Sequence, residues 1–294
     1  MIVVTTPTGQ IGRNALQSLL AKGEKVRVIA RDPSKLPENV KRQAEIVEGS
    51  HGDAAVIERA LRGADGLLWV VPPEPRSDNV EKDYVDFSRP AAKAIDQAHV
   101  HHVVVVKAIA HGTPWVDRAG LATVSERMDE LFTATSASVR SIAAPSLMDN
   151  MLMQLHPITH QGMFFGPIEA TKKIPHLAAR DIGYVAADLL VQRDWHGKST
   201  INLLGPENLS FNEVAGIIAE VLGMPVEYQQ VPFEGFAAQL QGLGMPESYV
   251  RKMVEMMQAK NEGLDNSAPR DTSFATPTTF RQWCEGALAK AARA

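Results

Sequence analysis

Along the first half of the chain, short apolar β-rich runs alternate with longer stretches of helical periodicity. Residues 2–5 (IVVT) read as a strand, and residues 12–22 place Leu16, Leu19 and Leu20, continuing from Ile11, at helical spacing. Gly23 closes that helix, and residues 25–30 (KVRVIA) alternate as a second strand. Residues 44–48 give a weaker third strand, followed by a helix over 55–61. Residues 66–71 (GLLWVV) are apolar throughout, as suits a strand covered on both faces. A helix within 79–98, a strand at 103–106, a helix over 121–135 and a strand at 139–143 continue the alternation. Repeated strand–helix units imply a parallel sheet with helices on both faces.

After Asn150 the pattern changes. MLMQLHPITHQGMFFGP reads as irregular with room for a short helix, residues 182–191 as helical and 201–204 as a short strand. SFNE at 210–213 is a capping box opening a helix that ends at Gly223. Further helices are expected over 233–240 and 247–258 and from Thr279 onward. The fold class is therefore α/β: a Rossmann-type doubly wound parallel sheet over residues 1–150. A smaller, mostly helical lobe for substrate or partner binding follows over 151–294, its segments interleaved with the sheet.

Composition narrows the function classes. The 294 residues are 45% hydrophobic, enough for a sizeable core, and the net charge of -4 argues against nucleic-acid or anionic-membrane surfaces. A lone cysteine, Cys284, suits a reducing compartment, and with no signal-like start or membrane-length apolar run the expectation is a cytoplasmic protein.

Candidate chemistry begins at TPTGQIG. Gly9 and Gly12 stand at G-x-x-G spacing between a strand and a helix, where a dinucleotide loop needs close backbone approach and tight helix packing. Thr6 takes the place of the usual first glycine and is expected to hold a negative φ. At the tip of the second strand, ARDPSK offers Arg31 and Lys35 to the 2′-phosphate of NADP, while Asp32 leaves room for NAD. NADP(H) is the expected cofactor.

The chain resembles the NmrA-like branch of the atypical short-chain dehydrogenase/reductases in TPTGQIG, ARDPSK, SIAAPSLMDNML, LLGPENLSFNEVAGIIAEVLGMPVEY and ATPTTFRQW. Its departures are Thr6 for glycine, Ala144 for a common arginine, and Ser50 where relatives often carry an adenine-contacting Asp. The resemblance implies that Thr8, Gly9, Gln10 and Ile11 lie along the pyrophosphate. Ser50 would meet adenine, with Val71, Pro72 and Pro73 passing over the cofactor. Lys107, ending strand five, would touch the nicotinamide ribose, polarise a carbonyl, or simply reach water. The Tyr-x-x-x-Lys acid pair is missing, since none of the four tyrosines has lysine four residues on. Glu126 falls where that tyrosine would sit and is read as either an acid or an exposed helix-face residue. His111, in KAIAHGTPW, is placed to donate a proton or contact substrate.

Met148, Met151 and Phe164, with Asn150 in the LMDN segment, would border an apolar substrate or build an ordinary core. No metal site is expected: His99, His101 and His102 straddle a strand entrance, and Pro157 interrupts a helix between His156 and His160. The leading expectation is an NADPH-dependent reductase of a small apolar carbonyl, quinone or conjugated alkene. The alternative is a catalytically silent NADP-binding regulator with a protein partner; a homodimer is compatible with either.

Overall fold

The computed structural model describes residues 1–72 and 74–293. Its first part runs β1 (Ile2–Val4), α1 (Gln10–Ala21), β2 (Val26–Ala30), α2 (Glu38–Gln43), β3 (Glu45–Glu48), α3 (Ala54–Leu61), β4 (Gly66–Trp69), α4 (Phe87–Ala98), β5 (His102–Ala108), α5 (Leu121–Thr133) and β6 (Ser138–Ala144). The chain then adds β7 (Ser146–Leu147), α6 (Leu155–Gln161), β8 (Met163–Gly166), β9 (Ile174–Leu177), α7 (Ala179–Gln192) and β10 (Lys198–Asn202). It ends with β11 (Asn208–Leu209), α8 (Phe211–Leu222), β12 (Glu227–Gln230), α9 (Phe233–Gly242), α10 (Glu247–Glu262), α11 (Leu264–Ser267), α12 (Phe280–Trp283) and α13 (Ala289–Arg293).

The main sheet has seven strands in the order β10-β6-β5-β4-β1-β2-β3, and every pairing in it is parallel. Alternation along each strand divides the core in two. In β4, Leu67 and Trp69 join the core under α3, α4 and α5, whereas Leu68 joins the core under α1 and α7. In β5, Val103 and Val105 face α5 and Val104 faces the other way. That register sends the side chain of Lys107, two residues past Val105, toward α5 rather than toward α1.

The sheet draws β10 and its flanking helix α7 from beyond residue 150, and α7 lies along α1 with Gly183 against the α1 backbone. The expected irregular stretch holds ordered elements: a 3₁₀ turn over Met148–Gln154, α6, and β8, which pairs with β12 through Phe164 and Tyr228. Pro157 does not interrupt α6; it occupies the first turn, where a missing N–H breaks no helical bond. Met148, Ile158, Phe164, Ile218, Phe280 and Trp283 form the core of the C-terminal lobe. The capping box at Ser210 and Glu213 is present, and Gly223 ends α8 at φ 68°. A seam of small residues, including Ala110, Ala119, Ala122 and Ala259, brings α10 onto the loop between β5 and α5. Among the described residues, no helix is long and apolar enough to cross a membrane.

Candidate functional site

The loop after β1 is built by backbone contacts. The Gly9 N–H donates to Thr6 O at 3.0 Å and closes the turn. A Cβ at Gly12 would lie 2.2 Å from Thr6 O and 2.8 Å from Thr5 O, so α1 can meet β1 this closely only with glycine there. Gly9 caps α1 without any side-chain hydrogen bond, and the first turn carries no acidic residue. The partial positive charge of the helix start is thus uncompensated by the protein, beside exposed Thr8, Gly9 and Gln10. This cradle fits a pyrophosphate. Ile11 turns inward and packs on the α1–α7 core. Thr6 departs from expectation: its φ is 48°, a left-handed conformation costing a non-glycine residue roughly 1–2 kcal/mol.

Arg31 stands exposed at the end of β2. Asp32 is engaged with its own turn, accepting from the Ser34 N–H at 3.0 Å and the Ser34 hydroxyl at 2.5 Å. Those bonds to Ser34 hold its carboxyl below the usual range. Lys35 reaches the same carboxylate at 3.7 Å while remaining exposed. At the end of β3, Ser50 Oγ accepts weakly from the Gly52 N–H at 3.3 Å. His51 sits edge-on to Trp69 and Phe87, with ring centroids 5.0 and 4.7 Å away, and burial pushes its pKa down to about 4. Val71 is half-buried and Pro72 exposed beyond β4; Pro73 lies outside the described residues.

Lys107 and Glu126 differ most from a surface reading. The Lys107 side chain is fully buried, and its Nζ donates to Glu126 Oε1 at 2.9 Å and Asp129 Oδ2 at 2.6 Å. Ser141, on β6, donates to the other Asp129 oxygen at 2.6 Å. Glu126 is a buried residue of α5, not an exposed face residue, and its Oε1 also accepts from His111 Nδ1 at 2.9 Å. The His111 side chain is 62% exposed. Of these five residues, then, only His111 reaches the surface, at the carboxyl end of β5. Lys107 and Glu126 lie beneath it, both buried. Asp129 and Ser141 did not stand out in the sequence. The signal for Asp129 was its place one turn past Glu126 on the helix face opposite Lys107.

The expected substrate residues separate. Met148 and Phe164 are buried in the C-terminal lobe core, Met151 packs half-buried against it, and Asn150 is exposed. The histidines also separate. His99 is the left-handed cap of α4, His101 is exposed and His102 packs edge-on to Trp195, while His156 and His160 stack at 4.2 Å. No group of three or more His, Cys, Asp or Glu side chains suited to a metal ion occurs among the described residues.

A family model described as the NmrA-like family matches residues 1–284. The chain is 28% identical to the NAD(P)H azoreductase of Xenophilus azovorans over 259 residues, covering 87% of this chain and 86% of that one. It is 23% identical to quinone oxidoreductase 2 of Escherichia coli, over 95% of each. Among solved structures, the Citrobacter sp. triphenylmethane reductase complexed with NADP(H) superposes with a TM-score of 0.80 at 21% identity, covering 99% of both chains.

Proposed function

The chain belongs to the NmrA-like family, and from that premise we propose that it is an NADPH-dependent reductase of a small apolar carbonyl, quinone or conjugated alkene. The uncapped start of α1, behind a glycine cradle at the end of β1, is the observation that carries this reading. The related azoreductase and quinone oxidoreductase support it.

In the proposed complex, the exposed Thr8–Gln10 loop and the start of α1 hold the pyrophosphate. Arg31 and Lys35 take the 2′-phosphate, while Asp32 holds Ser34 through Oδ1 in its own turn. Ser50, Val71 and Pro72 flank the adenosine. The bound nicotinamide supplies hydride to the acceptor. His111 supplies the proton from Nε2 to the acceptor's oxygen, and water returns one to it. Glu126 fixes the ring by accepting from Nδ1, and Lys107 fixes Glu126. Asn150 and Met151 border the acceptor.

Titration with NADPH and NADH, followed by nicotinamide fluorescence and then a panel of quinones and enones, tests the proposal. Absence of micromolar NADPH binding would sink it. Arg31→Ala is expected to weaken NADPH about tenfold or more and leave NADH nearly unchanged, because the lost bonds run to a charged phosphate. His111→Gln is expected to lower kcat about a hundredfold while NADPH affinity holds; an unchanged kcat would remove His111 from the chemistry.

The seating of α10 on the β5–α5 loop favours a second reading, a cofactor-binding regulator. A Cβ at Gly120 would fall 1.9 Å from Lys252 O, so α10 packs on the start of α5 at a distance only glycine allows. Tight NADPH binding without turnover of any acceptor would select this reading.

A further inference from the structure

Two adjacent threonines follow β1, and the fold uses their hydroxyls differently. Thr5 Oγ1 donates to Leu68 O at 3.0 Å and accepts from the Val70 N–H at 2.9 Å, pinning β1 to β4. Thr6 Oγ1 is sealed from solvent and has no hydrogen-bond partner among the described residues. Its backbone holds φ at 48°, a region ill-suited to a β-branched residue. That conformation is over-determined: Thr6 O accepts from the Gly9 N–H and lies against the Cα of Gly12. A glycine would meet each backbone demand without strain and without an unpaired hydroxyl. Threonine is thus unfavourable twice over in the free protein, and a ligand contact through its hydroxyl would pair the orphaned group and offset the backbone strain.

We infer that the Thr6 hydroxyl donates a hydrogen bond to the pyrophosphate of the bound dinucleotide, making this residue a ligand-binding substitute for the glycine it replaces. The inference rests on the cofactor reading above. The hydroxyl lies on the Gly9 side of the loop, 3.9 Å from where a Gly9 Cβ would stand. That is the side from which the absent side chain lets an anion approach. An O–H bond to an anionic oxygen is of the stronger, charge-assisted kind. Forming it requires a change of Thr6 side-chain rotamer toward the Gly9 side of the loop.

Three variants test this, each titrated with NADPH by nicotinamide fluorescence and with adenosine 2′-monophosphate, which has no pyrophosphate, by calorimetry. Thr6→Val keeps shape and strain and loses the hydroxyl; it is expected to weaken NADPH about tenfold or more and leave adenosine 2′-monophosphate unchanged. Thr6→Ser keeps the hydroxyl and retains NADPH binding. Thr6→Gly is expected to raise the melting temperature of the ligand-free protein while weakening NADPH as Thr6→Val does. Unchanged NADPH affinity in both Thr6→Val and Thr6→Gly overturns the inference. So does a parallel loss of adenosine 2′-monophosphate, which would mean that the loop itself had been reshaped. Wild-type protein that binds neither nucleotide removes the cofactor reading itself, a result distinct from both.

Discussion

Replacing Lys107 with methionine is expected to destabilise the fold by about 3–5 kcal/mol, the usual consequence of removing one partner from a buried ion pair. Among the described residues the ammonium is the only cation within hydrogen-bond reach of Asp129, and it lies 2.9 and 2.6 Å from oxygens of two buried carboxylates. Methionine fills the same space but leaves both carboxylates facing apolar neighbours across β5 and α5. Ser141 still donates to Asp129 and His111 to Glu126, and neither replaces a full charge. The loss should appear as a lower urea midpoint with little change in slope. Adding Glu126→Gln and Asp129→Asn to Lys107→Met should recover a large part of it, since the penalty comes from unpaired charge and not from lost volume. A single variant within 1 kcal/mol of wild type would mean that the cluster is far more hydrated than its burial indicates.

This cluster also shows where sequence reading reaches its limit. Val103 to Val106 announced a buried strand, and alternation puts Lys107 on the same face as Val103 and Val105, which the structure shows to be the α5 side. What the pattern lacked was the pairing: Glu126 and Asp129 lie 19 and 22 residues downstream, and only the return of α5 over β5 brings them to the lysine. Ser141 comes closer still to being invisible, a small polar residue in a strand whose partner register decides its contact. The same holds for β8 and β12, joined over more than sixty residues with no local signal in either. By contrast, the Ser210–Glu213 box and the Gly223 stop are local devices, and both stand where the sequence put them. The dinucleotide loop is local too, yet the conformation of Thr6 went the other way. Its φ follows from Gly9 and Gly12 closing on the Thr6 carbonyl, which a residue-by-residue preference does not contain.

Those two glycines separate the loop's architectural demand from its binding demand. Gly12→Ala is expected to destabilise the protein by about 1–3 kcal/mol and to weaken NADPH about a hundredfold, the order of loss that follows a displacement near 1 Å. The added Cβ would lie 2.2 Å from Thr6 O and 2.8 Å from Thr5 O, all backbone, with no flexible side chain to yield. The start of α1 must therefore lift away from β1, carrying its N–H groups off the pyrophosphate. Its seating on α7 resists that movement, because Gly183 already lies against the backbone of Ile11 and Ala15. Gly9→Ala differs in kind. Its φ of -75° is open to any residue, and its Cβ would rest 3.4 Å from Thr6 O, an ordinary contact. That variant should melt with the wild type and still lose NADPH, because its methyl group stands where the phosphate must come. Thermal unfolding and nicotinamide fluorescence on the two proteins distinguish these cases. A Gly9→Ala protein that bound NADPH normally would move the nucleotide off this loop, whereas a stable, binding-competent Gly12→Ala would show that α1 can withdraw from β1 without consequence.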